Sequence, residues 1–139
     1  MAIKEHPGNG GRLVEFVSKL NRLTQERRLL WKPEEPLEAL TAGSHGGIRA
    51  FFGTKYEYRP SGLLGPSGHI SKRIGIYEER YPEKPDSSGW LTRIVLVLFD
   101  DAGDSVWEFG DVVGIDDLMK SVRYQVSDVD KFIDAVLEH

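Results

Sequence analysis

Six consecutive apolar residues, Ile94–Phe99, set the strongest limit on the fold. A strand with one face in water alternates apolar and polar side chains, whereas a strand buried on both faces is apolar at nearly every position. A membrane-spanning helix needs about 20 apolar residues, so this run is too short to cross a bilayer. The segment Leu91–Phe99 is therefore predicted to be the central strand of a sheet with cover on both faces.

Helical repeats at both ends of the chain supply the expected cover. The first helix is predicted to end at Lys32, because a residue that precedes proline disfavours the helical conformation. Near the C-terminus, Ser127 and Asp130 have the spacing of a capping box, which predicts that Ser127 caps the last helix. The predicted apolar stripes are Leu13, Phe16, Val17, Leu20 and Leu23 in the first helix, Ile115, Leu118, Met119 and Val122 in the next, and Val129, Phe132, Ile133 and Val136 on the inward face of the last.

Alternating patterns predict the remaining strands. Ile48–Tyr58 and Ile70–Glu79 alternate apolar and polar side chains, and Leu37–Thr41 is a short strand candidate. The acidic stretch 100–103 reads as the turn of a hairpin. The predicted fold class is α+β, with an N-terminal helix, a four- to five-stranded antiparallel sheet, and a C-terminal helix pair or one broken helix.

Length and composition predict one soluble domain over residues 1–139. The sequence contains no cysteine, which excludes disulfides, thiolate metal sites and cysteine nucleophiles. No apolar leader segment is visible, so we expect a cytoplasmic protein with a mobile N-terminus over residues 1–10. Residues 137–139 match the start of a common affinity-tag junction, and they receive no functional weight.

Two short motifs accompany this layout. The end of the first helix, Thr24–Trp31, has the form T..[RK].L.W, and the hairpin carries a D..G turn from Asp100 or Asp101 to Gly103. Over about residues 13–136 the order of elements resembles small bacterial single-domain proteins of unknown function. The resemblance implies the α+β fold, and it implies no activity, substrate or site.

The glycine-rich stretch Arg59–Arg73 invites comparison with phosphate-binding loops. A Walker loop ends in Gly-Lys followed by Ser or Thr, but Gly68 is followed by His69 and Ile70. A strand pattern follows the stretch, so no helix N-terminus is predicted to gather backbone N–H groups around a phosphate. The stretch is predicted to be a connection made of several turns.

No arrangement of side chains predicts a catalytic residue, a metal site or a cofactor. His6, His45, His69 and His139 lack the spacing of a zinc site, although His45 and His69 both flank strands and could converge. Asp100, Asp101 and Asp104 crowd a turn but do not have the spacing of a calcium-binding loop. Aspartates are common turn formers, which explains them without a metal.

Basic and aromatic side chains alternate along one predicted sheet face, a pattern typical of platforms that stack single-stranded nucleic acid. The favoured alternative is that helices cover Phe51 and Tyr77 while the long basic side chains extend over the rim. The net charge of −4 supports this alternative, because residues 1–80 carry 13 Lys and Arg against 9 Asp and Glu, whereas residues 81–139 carry 5 against 13 and would repel a polyanion. The face consists of Arg49, Phe51, Lys55, Arg59, Arg73 and Tyr77.

Three classes of function remain. The preferred hypothesis is a non-catalytic module that binds a protein partner through Tyr58, Tyr81 and Trp90, with the loop Tyr81–Trp90 as either a binding loop or a tolerated insertion. The second is a small-ligand binder or enzyme whose site assembles from residues distant in sequence. The third is single-stranded nucleic-acid binding on the basic strand face. Neither a membrane nor nucleic acid is the expected partner.

Overall fold

The computed structural model describes residues 9–44, 46–59, 70–85, 88–103 and 106–139. It confirms the α+β prediction, since an N-terminal helix, a five-stranded antiparallel sheet and two C-terminal helices follow one another along the chain. The elements are α1 (Asn9–Gln25), β1 (Lys32–Pro33), α2 (Glu38–Ala42), β2 (Ile48–Tyr58), β3 (Ile70–Pro82), β4 (Trp90–Phe99), β5 (Val106–Glu108), α3 (Ile115–Val126) and α4 (Val129–Glu138).

The sheet is a meander in which each strand pairs with the next one in the chain, in the order β1-β2-β3-β4-β5. The apolar run lies in β4, where Leu96 is completely buried and Val95 and Val97 are buried on the opposite face. This confirms a strand with cover on both faces. The middle strand of the five is β3 rather than β4, because β4 stands fourth in the order and only the three-residue β5 lies beyond it.

A β-bulge in β2 shifts its pairing with β3. Arg49 pairs with Glu78, whereas Phe52 pairs with Ile76, so two residues of β2 oppose a single residue of β3. Within the bulge, Ala50 has a left-handed backbone with φ of 54°. Since side chains alternate along a strand, one extra residue exchanges the faces of everything beyond it.

The bulge corrects the predicted basic face. Arg49 pairs with Glu78 and Lys55 pairs with Arg73 on β3. Positions 78 and 73 are an odd number of residues apart, so their side chains point to opposite faces. The prediction that Arg49 shares a face with Lys55 and Arg73 is wrong, because a strictly alternating pattern takes no account of the extra residue.

The larger core lies between the sheet and the pair of helices α1 and α3. Its side chains come from both helices, from β3 and β4, and from the segment between α1 and β1, which matches the predicted stripes of the first two helices. The buried members are Val17, Leu20, Leu23, Leu29, Trp31, Ile74, Ile76, Leu96, Ile115, Leu118, Met119 and Val122.

A smaller core lies on the other face of the sheet. Phe51 and Tyr77 are buried there with their rings stacked at 5.5 Å between centroids. Leu37 and Leu40, at the start of the chain segment that forms α2, pack over this cluster. The favoured expectation that Phe51 and Tyr77 are covered is confirmed. The other buried members of the cluster are Val95, Val97 and Phe99.

Helix α1 ends at Gln25, seven positions before Lys32. Arg27 adopts a left-handed backbone with φ of 58°, and the N–H of Arg28 donates to the carbonyl of Leu23 at 2.9 Å. This is the hydrogen-bond pattern of a Schellman ending. The predicted end is wrong because the left-handed residue stops the helix before the proline can.

The segment Leu37–Thr41 is not a strand. It belongs to the short helix α2, where Leu37 occupies the N-cap position and its carbonyl accepts hydrogen bonds from the N–H groups of Leu40 and Thr41. The hydroxyl of Thr41 also donates to that carbonyl at 3.2 Å. Period-two patterns over five residues fit one turn of helix as well as a strand, which explains the error.

Ser127 does not cap α4. It is the C-cap of α3, since its N–H donates to the carbonyl of Arg123 at 3.0 Å. The N-cap of α4 is Asp128, whose backbone is left-handed with φ of 52° and whose side chain forms no capping hydrogen bond. The capping-box prediction is wrong, because the N-cap of α4 lies one residue later than predicted. The turn at Asp128 both ends α3 and starts α4.

The predicted inward face of α4 is not buried, although Val129 at its start is partly covered. Phe132 is 69% exposed and Val136 is 57% exposed, and Ile133 is also exposed. No residue of α4 is buried. The prediction is wrong because no described segment of the chain lies over this stripe, although its amphipathic pattern is the one expected of a covered helix.

Several predicted features lie outside the described residues. They are residues 60–69 of the glycine-rich stretch, including His69, together with His6, His45 and Asp104 and most of the N-terminal segment 1–10.

Candidate docking groove

An apolar groove of about 420 Å³ opens between α1 and the sheet, where β2 ends and β3 begins. Its volume falls in the range of about 300–1,000 Å³ that is usual for ligand pockets. Eight of its ten lining residues are aliphatic or aromatic, and the other two are lysines. The lining consists of Phe16, Lys19, Leu20, Leu23, Tyr56, Tyr58, Lys72, Ile74, Leu98 and Phe109.

One wall of the groove is a single side of α1. Phe16, Lys19, Leu20 and Leu23 stand at positions i, i+3, i+4 and i+7, which places them in one row along the helix. Leu20 and Leu23 are buried, whereas Lys19 is exposed at the margin of the row. The ring of Phe16 packs against Phe109 with 5.1 Å between centroids, and this contact closes one side of the groove.

The other wall is the sheet. Tyr56 and Tyr58 are two residues apart on β2, so both point to the face that α1 covers, and their ring centroids lie 6.3 Å apart. Tyr56 is 39% exposed and Tyr58 is 41% exposed, so each side chain is partly in solvent. Tyr56 pairs in register with Lys72 on β3, which places a positive charge beside the tyrosines.

The groove has a positive edge. Among the described residues that line it, Lys19 and Lys72 carry charge, and none is a carboxylate. Neither lysine forms an ion pair with any residue that the structure describes. An apolar groove with two positive charges on its margin favours a ligand that is apolar on one side and negatively charged on the other.

The three predicted partner-binding residues do not form one surface. Tyr58 lines the groove at the start of β3, opposite Ile70. Trp90 pairs with Pro82 at the far end of β3, which at about 3.3 Å per residue is roughly 40 Å away. Tyr81 is partly buried near Trp90, but the two are cross-strand diagonal neighbours on opposite faces.

Arginine side chains contact the rings of Trp90 and Tyr81. The guanidinium of Arg80 lies 5.0 Å from the ring centroid of Trp90, and that of Arg93 lies 6.0 Å from the ring centroid of Tyr81. Arg93 also forms ion pairs with Glu79 and with Glu108. These contacts occupy aromatic faces that a partner would otherwise use.

The predicted nucleic-acid face is dispersed. Phe51 and Tyr77 are 4% and 2% exposed, so their rings offer no free surface on which a base could stack. Arg73 is paired with Glu34, and Arg49 lies on the opposite face of the sheet. The exposed members that remain near this face are Lys55 and Arg59.

A polar cavity of about 350 Å³ lies where α1 and α3 end. The hydroxyl of Tyr124 donates a hydrogen bond of 2.5 Å to Asp130, and Arg27 donates to the other carboxylate oxygen at 3.3 Å. The hydrogen bond to Asp130 raises the pKa of Tyr124, and the hydrogen bonds from Tyr124 and Arg27 lower the pKa of Asp130. All three residues are exposed, and their contacts tie the first turn of α4 to the ends of α1 and α3.

Within the described residues, no three His, Asp or Glu side chains converge in a way that would hold a metal ion. In the same part of the chain, no helix combines the length and apolar character that crossing a membrane requires.

Sequence patterns identify only part of this groove. The sequence predicts Tyr58 as a partner-binding residue and Phe16, Leu20 and Leu23 as part of an apolar stripe. Neither Lys19 nor Lys72 belongs to a sequence pattern that predicts a binding site. Lys19 is three residues from Phe16 and four from Leu23, which places it on the margin of the stripe.

No family model, no curated protein and no solved structure matches this chain.

Proposed function

We propose that this chain is a non-catalytic interaction module, and that its groove docks an acidic amphipathic helix of a protein partner. The observation that carries the proposal is the combination of an apolar floor with Lys19 and Lys72 on the margin, neither of them in an ion pair with a described residue. The cysteine-free sequence is compatible with the cytoplasmic location that we propose for the module.

The shape and chemistry of the lining support a helical ligand. An amphipathic helix inserts side chains from positions i, i+3, i+4 and i+7 into an apolar groove, and aromatic residues commonly anchor such contacts. Tyr56 and Tyr58 offer half-exposed rings with polar tips for this purpose. Among the described residues that line the groove, the titratable groups are two lysines and two tyrosines.

The test uses two designed helical peptides with Leu and Phe at the four anchor positions. One carries Glu at the remaining positions and the other carries Lys. We expect the acidic peptide to bind more tightly, and we expect amide shifts on binding to centre on Lys19, Tyr58 and Lys72. Equal binding of both peptides, or shifts centred on Trp90, would show that the groove is not the docking site.

Lys19→Glu has a matched control in this chain. Lys120 is an exposed helical lysine outside the groove lining, so Lys120→Glu changes the net charge equally. Only Lys19→Glu should weaken binding of the acidic peptide, and the loss should shrink at high salt, since exposed charges are screened over about 8 Å at physiological ionic strength.

A second candidate function is binding of a small amphiphilic carboxylate. The observation that favours it is the volume of about 420 Å³, which suits a small ligand as well as a row of helix side chains. Laurate distinguishes the two functions. Saturable laurate binding that excludes the acidic peptide favours the small ligand, whereas binding of the peptide alone favours the interaction module.

A further inference from the structure

A basic cavity of about 530 Å³ lies beside β1, where that short strand stops covering the edge of β2. We propose that this cavity binds a phosphoryl group, carried either by free phosphate or by a small phosphate ester. It shares no described lining residue with the docking groove, so the inference goes beyond the function proposed above and does not depend on it. The charged residues of its described lining are Arg28, Lys32, Glu34, Lys55 and Arg73.

Strand register brings three of the basic side chains to one face of the sheet. Lys32 pairs with Gly53, and Lys55 pairs with Arg73. Since Gly53 and Lys55 are two residues apart on β2, the side chains of Lys32, Lys55 and Arg73 point to the same face. The described lining therefore holds four cations and one carboxylate, in a chain whose net charge is −4. Such a local excess of positive charge favours an anionic ligand.

The carboxylate of Glu34 does not neutralise the two lysines. Glu34 forms an ion pair with Arg73, and both side chains are 22% exposed. Gly53 leaves room for this carboxylate, because a β-carbon at position 53 would clash with it. Neither Lys32 nor Lys55 forms an ion pair with any residue that the structure describes. Both ammonium groups are therefore available to an anion.

Arg73 is fixed in position and keeps spare donors. Its guanidinium lies 5.5 Å from the ring centroid of Phe99, and one of its terminal nitrogens donates to Glu34. A guanidinium carries five N–H donors in a planar fork, so further donors remain for the oxygens of a phosphoryl group. Arg28 is 71% exposed and lies 3.6 Å from Glu26, a contact that solvent weakens.

A backbone N–H adds a donor that does not depend on a charged side chain. The carbonyl of Phe51 accepts from the N–H of Glu34, so alternate residues of β2 from Phe51 onwards direct their backbone groups towards β1. Lys55 is one of them, but β1 begins at Lys32, which lies opposite Gly53. On that side, no described residue accepts a hydrogen bond from the N–H of Lys55. An oxyanion at this point accepts from the N–H and from both ammonium groups.

The cavity has room for more than the phosphoryl group. Its volume of about 530 Å³ falls in the range of about 300–1,000 Å³ that is usual for sites of small organic ligands. Leu30, which is 65% exposed, contributes an apolar surface to the lining. An organic group attached to the phosphate would pack against this side chain, which favours an ester over free phosphate.

The experiment is a titration of the full chain with inorganic phosphate and with phenyl phosphate at constant ionic strength, followed by amide shifts. We expect saturable shifts centred on Lys32 and Lys55. Tighter binding of phenyl phosphate identifies the ligand as an ester, and equal binding of the two probes identifies it as free phosphate. Lys32→Ala and Lys55→Ala should each weaken binding by about tenfold. Lys72→Ala is the matched control, because Lys72 lines the groove instead, and it should leave phosphate binding unchanged.

Two readouts separate binding from a loss of structure. Lys55→Ala retains the backbone N–H, so the amide at position 55 should still shift at saturating phosphate. Glu34→Gln removes the negative charge of the lining and loosens its hold on Arg73, so it should tighten phosphate binding by a few fold. All variants should keep the circular dichroism spectrum of the wild type.

Four results overturn the inference. One is the absence of saturable binding by both probes, and another is shifts as large at the exposed Lys120 as at Lys55, which would show that the anion binds to charge alone. A Glu34→Gln variant that binds phosphate no more tightly than the wild type contradicts the role of the cavity. Tighter binding of a short oligothymidylate than of phenyl phosphate assigns the surface to nucleic acid instead. In every case, the acidic peptide should bind Lys32→Ala as it binds the wild type, so the groove is tested separately.

Discussion

The side-chain carbonyl of Gln125 accepts a hydrogen bond of 2.7 Å from the backbone N–H of Trp31, which lies 94 residues earlier in the chain. The amide nitrogen of Gln125 donates to the carbonyls of Thr24 and Leu29 at 3.0 and 2.9 Å. The indole N–H of Trp31 donates to the hydroxyl of Thr24 at 2.9 Å. This buried network satisfies the backbone where α1 ends and fastens it to α3, which keeps α1 in place as a wall of the groove.

Gln125→Leu tests this network. The substitution leaves the N–H of Trp31 and the carbonyl of Leu29 buried without their partner, and each such group costs about 1–3 kcal/mol. We expect the free energy of unfolding to fall by about 2–5 kcal/mol, measured by urea denaturation. Lys120→Ala on the exposed side of the same helix should change it by less than about 0.5 kcal/mol. A loss for Gln125→Leu no larger than that of the control would contradict the role of the network.

Gly75→Ala should destabilise the smaller core. A β-carbon at position 75 would lie 2.7 Å from the ring of Phe51, which is too close for any real contact, and Val97 and Phe99 pack behind it. Such overpacking costs about 1–3 kcal/mol. Gly11→Ala, in α1 with open space around it, should instead raise stability by up to about 1 kcal/mol. We expect Gly75→Ala to lower the melting temperature and Gly11→Ala to raise it. Shifts of the same sign for the two variants would argue against this packing.

Stability should fall at alkaline pH because of Tyr77. Burial, together with the neighbouring charges of Glu108 and Glu79, raises the pKa of its hydroxyl from 10.0 to about 12. Between these values the unfolded chain releases the proton while the folded chain retains it, so stability is complete below pH 10 and is lost as pH rises towards 12. The loss from this one group is about 2–3 kcal/mol.

Tyr77→Phe removes the titrating hydroxyl. The difference in unfolding free energy between wild type and this variant should stay constant below pH 10 and should move in favour of the variant above it. The measurement is urea denaturation at a series of pH values. Parallel curves for the two proteins across the alkaline range would show that the pKa of Tyr77 is not raised on folding.

The turn between α3 and α4 provides a test of where the caps lie. Ser127 forms no side-chain cap, so Ser127→Ala should change the unfolding free energy by less than about 0.5 kcal/mol. Asp128 holds a left-handed backbone, which costs an ordinary residue about 1–2 kcal/mol and glycine almost nothing. Asp128→Gly should therefore stabilise the protein by about 1 kcal/mol in thermal melts. If Ser127→Ala destabilises the protein instead, Ser127 caps α4, as the sequence predicts.

The sequence predicts the elements of this fold better than their ends. The run Ile94–Phe99 identifies a strand buried on both faces, and the spacing of Val17, Leu20 and Leu23 identifies the buried side of α1. Both signals arise because continuous burial constrains every residue of a segment. The end of α1 depends instead on the backbone of the single residue Arg27, and a non-glycine residue in a left-handed conformation leaves no pattern in the sequence.

The candidate site was harder to predict, for two physical reasons. The bulge at Ala50 exchanges the faces of β2. A strictly alternating pattern therefore predicts Arg49 on the same face as Lys55 and Arg73, whereas it lies on the opposite face. The groove itself forms only where one side of α1 meets β2 and β3, and the pairing of Tyr56 with Lys72 is a property of strand register. Register depends on contacts between segments, which a reading of each segment alone does not contain.

The groove is tested most directly by isothermal titration calorimetry of the acidic and the basic helical peptide. The affinity of each peptide is measured for the wild type and for the double variant Lys19→Glu, Lys72→Glu. We expect the wild type to prefer the acidic peptide and the variant to prefer the basic one, because the two lysines are the charges on the groove margin. Both proteins should show the negative heat-capacity change of apolar burial. An unchanged preference in the variant, with its fold intact, would contradict the assignment of this groove as the docking site.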